Sequence, residues 1–441
     1  MANYVLLERI TVGAAGASSV TFNNIPQTGY TDLKVVVSAK GTDSAARGML
    51  IAFNGSSSTF SGKYLIGDGS SPSSGSLAQY VGSIFGTGGT ANTFNNTEIY
   101  IPNYLGSQQK SFSVDNVAEN NGSTGYANII AGLWATTSAI SSINLSIQVG
   151  SFIQYSTFSL YALAAVGTTP TKAPKAIGGD IVQYDGTYWY HAFINSGSFI
   201  PQIPLSCDVL VVAGGGGGGS DAGGGGGAGG VLAFASQALI SSTGYTATIG
   251  AGGAQASSAT IGYSGSNSQF ASLTASVGGG AGSTTTSPAG TGGSGGGGGR
   301  NGGQAGGSAT SGQGNAGGTG TLNTSGGGGG GAGGAGSNSS STGGTGGAGT
   351  NSVTNWGALS AALTATGLGV SGYLAGGGAG GPSGTAGTGG GGAGGATANP
   401  GNGTAGTPNT GSGGGGGGGG YGIATNGAAG GSGVVIVRYL A

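Results

Sequence analysis

Six consecutive glycines, residues 214–219, follow directly on the apolar run Val209, Leu210, Val211, Val212, Ala213, and glycine runs then recur until the chain closes on a second apolar run, GVVIVRYL. Such a stretch is either a flexible linker or a folded body built mostly from backbone. Fixing one residue's backbone costs roughly 1–2 kcal/mol, and glycine loses more freedom on folding than any other residue. Only a regular lattice of hydrogen bonds offsets that cost. Without side chains, a glycine run can take the left-handed threefold helix, rising about 3.1 Å per residue with its N–H and C=O groups pointing outward. Once buried, those groups are satisfied only by neighbouring helices. Runs of five or more glycines leave no face obstructed, so the expected object is a single-chain stack of polyglycine II helices, with the non-glycine segments as turns at its ends. Strict Gly-X-Y periodicity is absent and prolines number 11 in 441 residues, which disfavours a collagen triple helix.

Charge and strand content argue against disorder. From Cys207 onward the charged side chains are Asp208, Asp221, Arg300 and Arg438, whereas a disordered tract normally stays soluble through charge. The stretches DVLVVA, YTATIGAG, SQFASLTASV and GVVIVRYL are strong strand formers. They predict a small β-base from which the glycine segments rise and to which they return.

The first part of the chain is written differently. In INLSIQV, Ile143, Leu145, Ile147 and Val149 alternate with Asn144, Ser146 and Gln148, the period of a strand with one buried and one wet face. Leu33, Val35 and Val37 repeat the pattern, as do Phe112 with Val114 and Phe158 with Leu160. Turn signals such as NGSSS and ENNGSTG separate these runs, and no helical period persists. The fold class expected is therefore all-β: a jelly-roll-like β-sandwich over residues 1–166, expected as a virion-attachment or carbohydrate-binding-like module, a linker over 167–180 marked by two prolines and two lysines, and the glycine-rich domain over 181–441, opened by a hairpin at Asp185 and Gly186.

Composition excludes several function classes. With a formal net charge of -1 and no basic block, the chain offers a nucleic acid no electrostatic footprint. Glu8 and Arg9 interrupt the apolar core a signal peptide would need, and no window is long and apolar enough to span a bilayer, so a protein made in a cytoplasm and not inserted in a membrane is expected. Cys207 is the single cysteine and His191 the single histidine, which rules out an intrachain disulfide and a cysteine–histidine zinc site. No cofactor is expected. A catalytic triad would depend on His191, which lies in the aromatic strand TYWYHAF where packing is the better reading. Asp115 and Glu119 are the nearest carboxylate pair, and a solvated loop accounts for them better than glycosidase chemistry. The phosphate-loop pattern fails because Gly62–Lys63 is followed by Tyr64. The sequon at Asn54-Gly55-Ser56 carries no weight in a chain without a secretion signal.

The blocks DVLVVAGGGGGGSDAGGGGGAGGVL, YTATIGAGG, GSNSQFASLTASVGGGAG and GGSGVVIVRYL, in this order over residues 178–441, resemble the glycine-rich domain of bacteriophage tail fibres and tail-tip adhesins. The stretch GLWATTSAISSINLSIQVGSFIQYSTFSLYAL is similar to the closing strands of β-sandwich modules in phage virion proteins. The resemblance implies a rigid polyglycine core whose distal loops contact the host, a virion location after assembly in the host cytoplasm, and other tail proteins and a host surface glycan or outer-membrane protein as partners. It also implies a homo-oligomer, with a trimer favoured. Within the glycine-rich half, aromatic and amide residues that could stack on sugars or anchor a protein contact are Trp356, Asn355, Asn351, Tyr373 and Tyr421, with Arg300 and Asn301 as a polar tip. The competing reading is that the aromatic residues cap the lattice or fill its seam against the β-base, and that Arg300 and Asn301 form a solvated turn. A non-enzymatic adhesin is expected, ahead of a purely structural virion protein such as a head or tail decoration; a surface depolymerase is opposed by the scarcity of acids.

Overall fold

A computed structural model describes residues 4–119, 125–165, 173–257, 260–284, 287–300, 303–397, 401–419 and 425–441. The contacts divide the chain into two units, Met1–Pro174 with Ile181–Trp189 and Ala441, and Lys175–Asp180 with Tyr190–Leu440. The division follows contacts rather than chain order: Lys175–Asp180, inside the stretch expected as a linker, groups with the second unit, and Ile181–Trp189 groups with the first. Residues 166–172 of that linker lie outside the described residues.

In the first unit the strands are divided between two antiparallel sheets. Strand β1 (Tyr4–Thr11) lies in the larger sheet, β2 (Ser19–Phe22) in the smaller, β3 (Tyr30–Ala39) in the larger and β4 (Arg47–Phe53) in the smaller. The chain continues with β5 (Phe60–Gly67) and β6 (Pro72–Ser76) in the larger and β7 (Tyr80–Ile84) in the smaller. Then β8 (Asn95–Ile101), β9 (Lys110–Ala118) and β10 (Tyr126–Trp134) enter the larger, β11 (Ile143–Ile147) the smaller, and β12 (Thr157–Ala164) the larger. The resulting orders are β1-β12-β3-β8-β9-β10-β5-β6 and β2-β11-β4-β7. Crossing between sheets at eight of the eleven connections is the jelly-roll solution to burying two half-wet sheets against each other. Each strand supplies alternate residues to the core: β9 is buried at Lys110, Phe112, Val114, Asn116 and Ala118 and exposed between them. Phe53 from the smaller sheet meets Phe112 edge-on at 5.8 Å and Trp134 at 5.5 Å.

The second unit has a core of another kind. After β13 (Ala176–Ile177), and β14 (Ile181–Tyr184) of the first unit beside β1, come β15 (Tyr188–Phe193), β16 (Gly197–Pro201), β17 (Leu205–Val212), β18 (Val231–Leu239), β19 (Tyr245–Thr248) and β20 (Gln269–Phe270). A later insertion holds β21 (Ser352–Val353), β22 (Gly357–Ala358) and helix α1 (Ser360–Thr366), and β23 (Val434–Leu440) ends the chain. The base comprises two sheets, β18-β17-β23-β15 and β13-β16-β19-β20. The two apolar runs that bracket the glycine segments are direct partners, Val209 opposite Val437 through Val212 opposite Val434. All eight of these residues are fully buried, which is why they read as unbroken apolar runs rather than alternating ones.

Above this base the glycine segments run up and down as a hexagonal array. In segment 214–219 the N–H groups point in turn to three neighbours: Gly214 and Gly217 donate to Ser266 and Tyr263, Gly215 and Gly218 to Gly431 and Ala428, and Gly216 and Gly219 to Gly227 and Gly224. Its carbonyls accept from three others, Gly279 and Gly282, Gly414 and Gly417, and Gly253. This three-residue rotation is that of a polyglycine II helix with six neighbours. Segment 223–230 lies at the centre: its partners at 411–417, 277–283, 327–330, 216–219, 294–297 and 378–381 form a ring around it, and of these 216–219 and 411–417 are themselves enclosed by six neighbours. At Gly226 there is no room for a methyl group, since a Cβ there would lie 2.0 Å from the Gly216 carbonyl oxygen, whereas Ala228 of the same segment carries a buried one. At the perimeter the requirement relaxes to the inward positions. In 342–349, Thr342, Thr345 and Ala348 are exposed while the glycines at 343, 344, 346, 347 and 349 are buried.

Candidate functional site

The array has two ends, and its hydrogen bonds assign each turn to one of them. At the end away from the base, the turns bond to one another. Thr260 donates its N–H to the Ser220 hydroxyl at 3.0 Å, and that hydroxyl donates to the Thr260 carbonyl at 3.0 Å. Asp221 donates its N–H to Thr425 at 3.2 Å and accepts the Thr425 N–H on its carboxylate at 2.9 Å. The turn 321–325 is closed by the Thr321 N–H on Ser325 at 2.9 Å, and is held from the side by Thr321 Oγ1 donating to Ser339 and Ser325 Oγ to Ser340, both at 2.8 Å. Asn323, in the left-handed region at φ 59°, donates to the Arg300 carbonyl at 2.9 Å. Leu322 at the apex of this turn is 59% exposed. Among the described residues the far end therefore presents hydroxyls and amides around the exposed Leu322, with Asp221 as its acid and Arg300 as its base.

Arg300 belongs to this end: its guanidinium donates to the Gly419 carbonyl at 3.4 Å. Asn301 and Tyr421 lie outside the described residues. The other four candidates are elsewhere. Thr350 and Leu374 exchange N–H···O bonds of 2.9 and 3.0 Å and so close the insertion 351–373 at its root, while Ala375 donates to Thr410 at the level of the base. Asn351 and Asn355 are exposed, Asn355 at φ 70°, and Tyr373 is half-buried. Trp356 is only 6% exposed, its ring stacked under the Arg438 guanidinium at 4.1 Å. Arg438 also donates to the Trp356 carbonyl at 3.0 Å and pairs with Asp208 at 2.9 Å. This cation–π and ion-pair clamp uses Trp356 to seat the insertion on β17 and β23. Leu359, which caps α1, and Ala362 and Leu363 within it are buried, and Gly367 ends the helix in the left-handed conformation at φ 66°.

The clamp and the bonded far-end turns escaped the sequence reading. A signal for the clamp was present: Asp208 and Arg438 are the sole charges within the two bracketing strands, and they are opposite each other in the register.

His191 is fully buried in the base, with Nδ1 2.6 Å from the Gly178 carbonyl and Nε2 2.9 Å from the Tyr439 hydroxyl. A carbonyl only accepts, so Nδ1 carries the hydrogen. The Tyr439 oxygen already accepts the Lys175 N–H at 2.9 Å, leaving its own hydrogen for Nε2. Both nitrogens are thus occupied in a neutral ring, and burial pushes the histidine down to about 4. Burial likewise pushes the Cys207 thiol up to about 12. Asp115 projects from the wet face of β9, and Glu119 is exposed beyond its end.

A family model described as a glycine-rich domain matches residues 194–440, from the end of β15 through β23. The chain belongs to this glycine-rich domain family. No curated protein matches it.

Proposed function

We propose that the chain is a non-enzymatic subunit of a bacteriophage tail fibre or tail-tip adhesin, carried on the virion after assembly in the host cytoplasm. Its far-end turns meet a host surface glycan or outer-membrane protein, and other tail proteins and further copies of the chain, three per fibre, hold it in place. The observation that carries this reading is the mutual bonding of the far-end turns, 220 with 260, 221 with 425, and 321–325 with 339–340. Loops already fixed on a backbone lattice lose little entropy on meeting a partner, and repeated copies add avidity. The test is saturable binding of the labelled chain to a panel of bacterial envelopes. Replacing Leu322 and Asn323 by Ser and Gly should weaken binding about tenfold or more, while Asn355→Gly with Tyr373→Ser at the base end should leave it unchanged. Absence of binding to every envelope, by the native oligomer as well, favours the structural virion protein instead.

A further inference from the structure

The first unit carries a cavity that the adhesin reading does not use. It is a depression open to solvent beside the β6 edge of the larger sheet, on the exposed face of β5 and β10, with a volume of about 410 Å³. Its lining comes from β5, β10 and the segment after β6: Ser61, Lys63, Ser76, Leu77, Ala131 and Leu133 line it, among others. The strand register explains how these residues meet. Lys63 is opposite Ala131 on one side and Ser76 on the other, and Ser61 is opposite Leu133, so all share one face of three neighbouring strands. Small side chains at 61, 76 and 131 leave the space open. Leu77, 41% exposed, and Leu133 supply apolar contact.

The single charge is Lys63. Its ammonium contacts the Ser76 hydroxyl, and among the described residues the ion pairs are Lys34–Glu98, Arg47–Asp43 and Arg438–Asp208. Lys63 therefore has no acidic partner at an exposed position in an otherwise uncharged cavity. A lone ammonium beside hydroxyls and two leucines matches a ligand with one negative charge, several hydroxyls and an apolar ring face. Phosphate sites gather several backbone N–H groups or an arginine fork. Here β5 is paired on both sides, and the Leu77 N–H is already given to the Gly62 carbonyl at 3.2 Å.

We propose that this cavity binds a sugar acid, a saccharide residue whose carboxylate pairs with Lys63 and whose ring lies against Leu77 and Leu133. The jelly-roll unit would then hold a second, acid-selective saccharide contact, independent of the far-end turns of the glycine-rich unit. The test is calorimetric titration of the intact chain with a panel of oligosaccharides containing glucuronate, galacturonate, mannuronate or sialate, beside their neutral counterparts and a sugar phosphate. At least one acidic member should bind saturably and about tenfold or more tighter than its neutral counterpart, weakening as salt is raised. Lys63→Gln should lose that preference while melting as the parent does, and Lys63→Arg should keep most of it. Binding should survive in the Leu322/Asn323 variant, which separates this site from the far-end reading. Failure of every acidic member to bind, equal binding by Lys63→Gln, or tighter binding of the sugar phosphate overturns the proposal.

Discussion

The two units bury comparable lengths of chain by opposite means. In the sandwich, side chains fill the space between sheets, and the Phe53–Phe112–Trp134 cluster is the kind of contact that holds it. In the glycine array of the second unit the interior contains almost no side chains, and the backbone N–H groups of its segments are given to neighbouring helices. A side-chain core tolerates changes of volume by repacking, at a cost of a few kcal/mol. A backbone core has no rotamers to adjust, so a single added atom must move a whole helix.

Gly226→Ala should therefore have the largest effect, because its Cβ would fall 2.0 Å from the Gly216 oxygen at the centre of the array. We expect a loss above about 5 kcal/mol, in the range reserved for gross disruption. Limited proteolysis read by mass should show the region beyond Lys175 cut while the sandwich survives; a variant as resistant as the parent breaks the comparison. Phe53→Ala, in the side-chain core, should cost about 3–5 kcal/mol in denaturant unfolding and leave the array protected. A change confined to a few tenths would mean that the aromatic cluster is not the centre of the sandwich.

The smallest of the three effects sharpens the comparison at the β-base, where side chains return. His191 titrates at about 4 when folded, against 6.5 for a free histidine. The unfolded chain then takes up its proton first, so this contribution is complete above about pH 6.5 and is lost as pH falls toward 4. The loss amounts to about 3 kcal/mol by the linkage of pKa to stability. Unfolding midpoints from pH 7.5 to 4 should show this slope in the parent and a flatter one in His191→Gln; equal slopes would mean that the ring takes up its proton at the same pH in the folded and unfolded chain.

Much of this architecture is legible in the residues. Ile143, Leu145 and Ile147 announce a half-buried strand, and β11 is buried at those three positions. The runs at 209–213 and 434–437 announce strands buried on both faces. What the residues conceal is adjacency. Each glycine helix has six equivalent directions and no side chain to mark which neighbour lies in which, so a glycine run looks the same whether it sits at the centre or one row out. The perimeter leaves a trace in Thr342, Thr345 and Ala348, spaced by three because two of every three positions face inward and must stay bare. That trace gives exposure without giving a neighbour.

For the same reason Trp356 and Arg300 look alike in the sequence, each a conspicuous residue between glycine runs, yet one is clamped to the base and the other stands among the far-end turns. The sequence by itself determined the all-β class, the strands that bracket the array and the threefold helix, because these follow from local periodicity and from the absence of Cβ atoms. The tertiary structure alone decided which helix is central, which turns share an end, and that Arg438 rather than a ligand covers the Trp356 ring. Those outcomes depend on contacts between residues far apart in the chain, and glycine carries no local mark of its partner.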